Sequence, residues 1–90
     1  MFKILLTAKL GRLAELTEFL VENLVHDPDS VSVKHFEYDD YITIEVLVSE
    51  DEIGAVIGKK GVIAKAIRTI VYASSYANHE KKVRINIDSL

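Results

Sequence analysis

The chain has no cysteine among its 90 residues. Disulfides and thiolate metal sites are therefore excluded, and nothing points to an oxidising compartment. Its three histidines, His26, His35 and His79, have no metal-ligand spacing to one another or to a carboxylate pair, so no metal or other cofactor is expected. No stretch approaches the roughly 18 to 20 apolar residues that span a membrane. The apolar run near the N-terminus, Ile4 to Leu6, is too short for an export signal. These absences predict a soluble, cytoplasmic protein with no membrane contact. A more telling absence is internal: from Ile53 to His79 there is not one Asp or Glu, while Lys59, Lys60, Lys65 and Arg68 all fall in that segment.

Charge is otherwise acidic, with fourteen acids against eleven lysines and arginines and a net charge of −3. A negative total argues against nucleic acid, whose partners are usually basic. The distribution argues the other way, since an acidic body carries one basic segment. Burial of that segment would account for the missing acids but not for its four cations. With 49% apolar residues, the chain can bury one self-sufficient core, and its length makes one domain.

Leu10, Leu13, Leu16, Leu20 and Leu24 recur at helical steps with Val21 alongside, which predicts an amphipathic helix ending near Val25 or His26, before Pro28. Residues 1–12 are set apart as an N-terminal extension of unassigned structure, and residues 13–90 as the domain. Alternation predicts a strand over Val31 to Phe36 and a clearer one over Tyr41 to Val48, with Ile42, Ile44, Val46 and Val48 on one face. The short Tyr38-Asp39-Asp40-Tyr41 link makes them an antiparallel hairpin. Ser49 and Glu52 have the spacing of a reciprocal capping box, opening a short helix over Glu50 to Ile57. A long helix over Val62 to Ala77 follows, with Ile63, Ile67, Ile70, Val71 and Ser74 as its core face and Lys65, Arg68 and Tyr72 on another. Val83, Ile85 and Ile87 mark a last strand. The order α-β-β-α-α-β predicts a two-layer α+β domain, with a three-stranded mixed sheet and helices on one face.

Between the last two helices stands Gly58-Lys59-Lys60-Gly61. Glycines permit unusual backbone conformations and close approach, the lysines add charge, and the following helix directs its first N–H groups to the same place. Together they suit a phosphate. The bare Gly-x-x-Gly spacing is weak, since chance supplies about 0.4 in a chain of this length. Its setting between two helices, after a hairpin, gives it weight.

In that setting, Ile53-Gly54-Ala55-Val56-Ile57-Gly58-Lys59-Lys60-Gly61 resembles the KH domain in its type II arrangement. With Ile63 to Val71 and the closing Lys81-Lys82-Val83-Arg84-Ile85-Asn86-Ile87-Asp88, the chain looks like the small bacterial single-KH proteins of the KhpA/YlqC type. The likeness covers about Leu13 to Asp88. Ala64 departs from the large aliphatic residue that many KH domains carry there, a feature shared within the narrower group. Residues before Leu13 extend beyond the usual start of these proteins.

The resemblance implies binding of single-stranded RNA, with about four nucleotides over the loop. Gly58, Lys59, Lys60 and Gly61 would meet phosphates, helped by Lys65 and Arg68. Ile53, Ile57 and Ile63 would border a base groove, with Gly54 giving room. No aromatic platform accompanies the loop, so aliphatic base contacts and weak sequence preference are expected. The likeness also implies a homodimer, or a heterodimer with a larger KH protein (KhpB, also called Jag), in a cytoplasmic RNA chaperone or regulator linked to cell shape and division. Val62, Tyr72 and Tyr76 are candidates for that contact.

Other readings are weighed against this one. The acids at Asp39-Asp40 and Glu50-Asp51-Glu52 fit turn and helix-start chemistry, so no enzyme and no small-molecule substrate is expected. The loop lacks the spacing of a nucleotide-binding P-loop. The helix after it is too apolar in its first half to read a DNA major groove. A KH-fold assembly module whose RNA contact depends on its partner stays open as the alternative.

Overall fold

The computed structural model describes residues 11–90. The expectations for the run from Met1 to Leu10 lie outside the described residues. Helix α1 (Arg12–Glu22), strands β1 (Ser32–Glu37) and β2 (Tyr41–Val48), helices α2 (Ile53–Ile57) and α3 (Val62–Ala77) and strand β3 (Lys82–Ser89) follow in that order. Strand β2 is central: it pairs antiparallel with β1, Val33 opposite Val46, and parallel with β3, Ile44 opposite Ile85. The hairpin closes through the Tyr38 N–H, which donates to the Tyr41 carbonyl at 2.8 Å. The two-layer α+β architecture is as the sequence predicts.

Strict alternation along β2 buries Ile42, Ile44, Val46 and Val48. Val33 of β1 and Val83 and Ile85 of β3 join them, and the helices cover that one face. The opposite face mixes polar side chains with Phe36 and Leu47, and at its hairpin end Tyr38 and Tyr41 stack at 4.7 Å, with Arg84 over the Tyr41 ring at 5.5 Å. Lys81 binds the Glu37 carboxylate and the Tyr38 carbonyl, both at 2.8 Å. That hydrogen bond and the ammonium charge hold the Glu37 carboxyl below its ordinary range.

Three expectations are corrected. Helix α1 ends at Glu22 rather than near Val25: the Asn23 side-chain amide donates to the Phe19 carbonyl at 2.7 Å, and the Leu24 N–H tightens onto the Val21 carbonyl at 2.9 Å. Leu24 and Val25 still pack against the core from the following turn. On α3 the buried residues are Ala64, Ile67, Val71 and Ser75, while Ile70, expected in the core, is 47% exposed. The capping box does not form. Helix α2 begins at Ile53 with no side-chain cap. The buried Glu52 carboxylate instead accepts the backbone N–H groups of His26 and Asp27, tying the turn after α1 to the start of α2.

This difference is measurable by urea unfolding of the full chain. Glu52→Ala leaves two backbone donors without their acceptor and is expected to cost about 1–3 kcal/mol. Ser49→Ala, which removes no cap, is expected to stay within about 0.5 kcal/mol. A capping box would make the two losses similar.

Candidate nucleic-acid interface

Helix α2 is one and a half turns long, and its C-terminal residue leads into a tight corner. The Gly58 N–H donates to the Gly54 carbonyl at 2.9 Å, and the Gly61 N–H donates to the Gly58 carbonyl at 3.1 Å. The Val62 N–H closes on the Lys59 carbonyl. The glycines' own donors are thus spent inside the corner, and what it presents outward is Lys59 and Lys60, both exposed. Neither lysine, nor Lys65, has an ion pair among the described residues.

Three residues in the corner have positive φ: Gly58 at 78°, Lys60 at 57° and Gly61 at 76°. For Lys60 the left-handed region costs about 1 kcal/mol or more, so the corner holds a lysine where the backbone prefers glycine. Gly58 is required twice over. Besides its φ, a Cβ there would lie 2.6 Å from Ile63 Cγ1 and 2.9 Å from the Ile63 backbone nitrogen. Ile63 fills the space under the loop, which is how the first turn of α3 sets the loop's position. Gly61 begins α3 from a left-handed conformation with open space where a Cβ would stand.

The other sequence-predicted residues are placed as follows. Ile53 and Ile57 are half-buried and one turn apart on α2, and Ile53 and Ile63 pack against the core. A Cβ at Gly54 would meet no heavy atom within 4 Å, and the backbone there is ordinary helix, so the room it gives lies on the outer side of α2. Lys65 is exposed one turn into α3. Arg68 is half-buried, and its Nε donates to the Ile85 carbonyl at 3.3 Å, which places it along β3 rather than at the loop.

Helix α3 therefore has three faces. Ala64, Ile67, Val71 and Ser75 face the core. Lys65, Arg68, Tyr72 and Tyr76 recur at three- and four-residue steps beside β3. Val62, Ala66, Thr69, Ile70, Ala73 and Ala77 are all exposed and uncharged on the outward side. The far end of the β3-side face, where Tyr72 and Tyr76 line a groove with Lys82 and Val83, is expected from the sequence as a partner contact and not as part of the RNA site. The three- and four-residue spacing of Lys65, Arg68, Tyr72 and Tyr76 is the signal that points to it.

The two glycines differ in a way that thermal unfolding detects. Gly58→Ala is expected to destabilise by more than about 1 kcal/mol, because both the left-handed backbone and the Ile63 contact resist a Cβ. Gly54→Ala, in helix with open space, is expected to be neutral or stabilising by up to about 1 kcal/mol.

The family model described as the KhpA/KhpB KH domain matches residues 14–87. The RNA-binding protein KhpA of Listeria monocytogenes is 45% identical over 73 residues, covering 81% of this chain and 95% of that protein. Those of Clostridium perfringens and Borreliella burgdorferi are 42% and 36% identical, over 77% and 86% of this chain and 92% and 93% of theirs. Among solved structures, Era from Aquifex aeolicus superposes with a TM-score of 0.68 at 21% identity, and Era in complex with a 16S ribosomal RNA fragment with 0.66 at 23%. They cover 87% and 86% of this chain but only 30% and 29% of the Era chains, so the likeness is one of fold, a type II KH domain within a longer protein. The chain belongs to the KhpA/KhpB KH-domain family, which is not a family of enzymes.

Proposed function

We propose that the chain binds single-stranded RNA by clamping the phosphate backbone at Gly58-Lys59-Lys60-Gly61. One observation carries the reading. Two exposed lysines, without ion pairs among the described residues, are held on a strained left-handed corner at the N-terminus of a sixteen-residue helix. Such a helix start favours anions. RNA is the nucleic acid named for the KhpA relatives. Lys65 continues the positive charge along α3, and Ile53, Ile57 and Ile63 with Gly54 border the bases. No acid within residues 53–79 opposes the phosphates.

The outward face of α3 favours self-association, or pairing with a larger KH protein of the KhpB type. Val62 is 59% and Ile70 47% exposed, and no charge interrupts their stripe. A second clamp brought alongside raises a modest affinity through effective concentration. The protein acts in the cytoplasm as a small RNA chaperone or regulator, with the cell-shape role that the resemblance implies. Among the described residues no helix is long and apolar enough to cross a membrane.

Fluorescence anisotropy with a short single-stranded RNA tests the clamp. Wild type is expected to weaken with a log–log salt slope of about −2 to −3, the value for three or four phosphate contacts. Lys59→Asp with Lys60→Asp, folded by circular dichroism, is expected to lose most of the binding. Equal binding by both proteins would sink the clamp. Sedimentation velocity tests the pairing face: Ile70→Asp is expected to shift the chain to monomer with its fold intact, and an unchanged assembly would move the contact elsewhere.

A further inference from the structure

The loop carries no aromatic residue, yet two exposed tyrosines stand at the other end of the same helical stripe. We propose that the groove between the end of α3 and the start of β3 is a base-stacking subsite that lengthens the RNA footprint beyond the loop. The subsite rests on the loop being an RNA clamp and adds a second point of contact.

The groove has a volume of about 340 Å³ and is lined by Tyr72, Ser75, Tyr76, Glu80, Lys82 and Val83. Tyr72 is 41% and Tyr76 86% exposed, so their rings are open to a ligand. The floor is fixed. Val83 is buried, and the Ser75 hydroxyl donates to the Lys81 carbonyl at 2.7 Å, joining the last turn of α3 to the entry of β3. Lys82 is exposed and has no ion pair among the described residues. The one acid, Glu80, is engaged by the Arg12 guanidinium, which also donates to the Ser74 hydroxyl at 2.8 Å. An aromatic face with an adjacent cation and a neutralised acid suits a nucleobase and its phosphate.

Continuity with the loop identifies the occupant as the same RNA strand. Lys65, Arg68, Tyr72 and Tyr76 lie on one side of α3, and the Arg68–Ile85 bond keeps that side along β3. At about 1.5 Å per helical residue, Tyr72 lies roughly 17 Å from Gly61. A stacked strand advancing about 3.4 Å per nucleotide covers that in about five nucleotides. A strand stacked in this way reaches the tyrosines beyond the four-nucleotide footprint usual for a KH loop.

The experiment compares labelled mixed-sequence RNAs of about four and about eight nucleotides by anisotropy, using the full chain. Wild type is expected to bind the longer RNA about tenfold more tightly, the contribution of roughly one stacked base. Tyr72→Ala with Tyr76→Ala, or Tyr76→Ala alone if the pair disturbs folding, is expected to lose that gain and keep the affinity for the shorter RNA. Tyr76→Phe is expected to retain it, since the ring does the stacking. A longer RNA that is abasic beyond its first four nucleotides is expected to lose the gain with wild type.

An alanine variant that gains as much as wild type, or an abasic strand that does, overturns the subsite and leaves the clamp standing. No binding of either RNA by wild type overturns both. Sedimentation of each variant separates the remaining occupant: a gain that follows the fraction of dimer, rather than the rings, assigns the groove to a second copy and overturns the subsite.

Discussion

Strand β2 has a neighbour on each side, and its inward row is sealed: Ile44, Val46 and Val48 have no exposed surface. That row can be buried only if helices cover one face of the sheet. Because β3 joins β2 in parallel, the chain must cross from the end of β2 back to the start of β3. Helices α2 and α3 are that crossover, and the corner between them is where it reverses. The loop sits where it does because burying β2 demands a crossover, and Ile63, pressed beneath Gly58, couples the corner to the layer below.

Charge follows a similar logic of allocation. Several of the acids and bases hold the domain together: Glu52 gathers the turn after α1, Lys81 draws Glu37 and the hairpin toward the entry of β3, and Arg12 fastens α1 to the end of α3 through Glu80 and Ser74. The cations of the loop and of the first turn of α3 are left out of this scheme. A net charge of −3 and a locally positive corner are therefore compatible, because the field near a surface is set by the charges closest to it, with distant acids screened over about 10 Å.

Much of this is legible from the residues. Strand β2 and helix α3 run over the residues their periodicity predicts, because alternation and three- and four-residue steps are direct consequences of backbone geometry. The glycine corner is legible because few residues tolerate positive φ. Glu52 misleads for an equally physical reason. A capping box is a local pattern, whereas the donors this carboxylate serves lie 25 and 26 residues away. Ile70 misleads because periodicity finds an apolar stripe without revealing how wide a strip its neighbours cover. The covered strip runs through Ala64, Ile67, Val71 and Ser75, and Ile70, about 100° around the helix from Val71, falls outside it. The spacing of Tyr72 and Tyr76 is legible in the sequence, but the groove they line is not, because its other wall comes from β3.

That wall carries a consequence for the order in which the surface is built. Strand β3 follows every described helix, yet it supplies the carbonyl that holds Arg68 and the residues facing Tyr72 and Tyr76. The hairpin and the glycine corner emerge from the ribosome before it, so a nascent chain can carry its lysines without having a groove. Domains assemble as units once their segments are present. The closing strand is thus the last piece of that surface: until it pairs with β2, the two tyrosines have no wall opposite them.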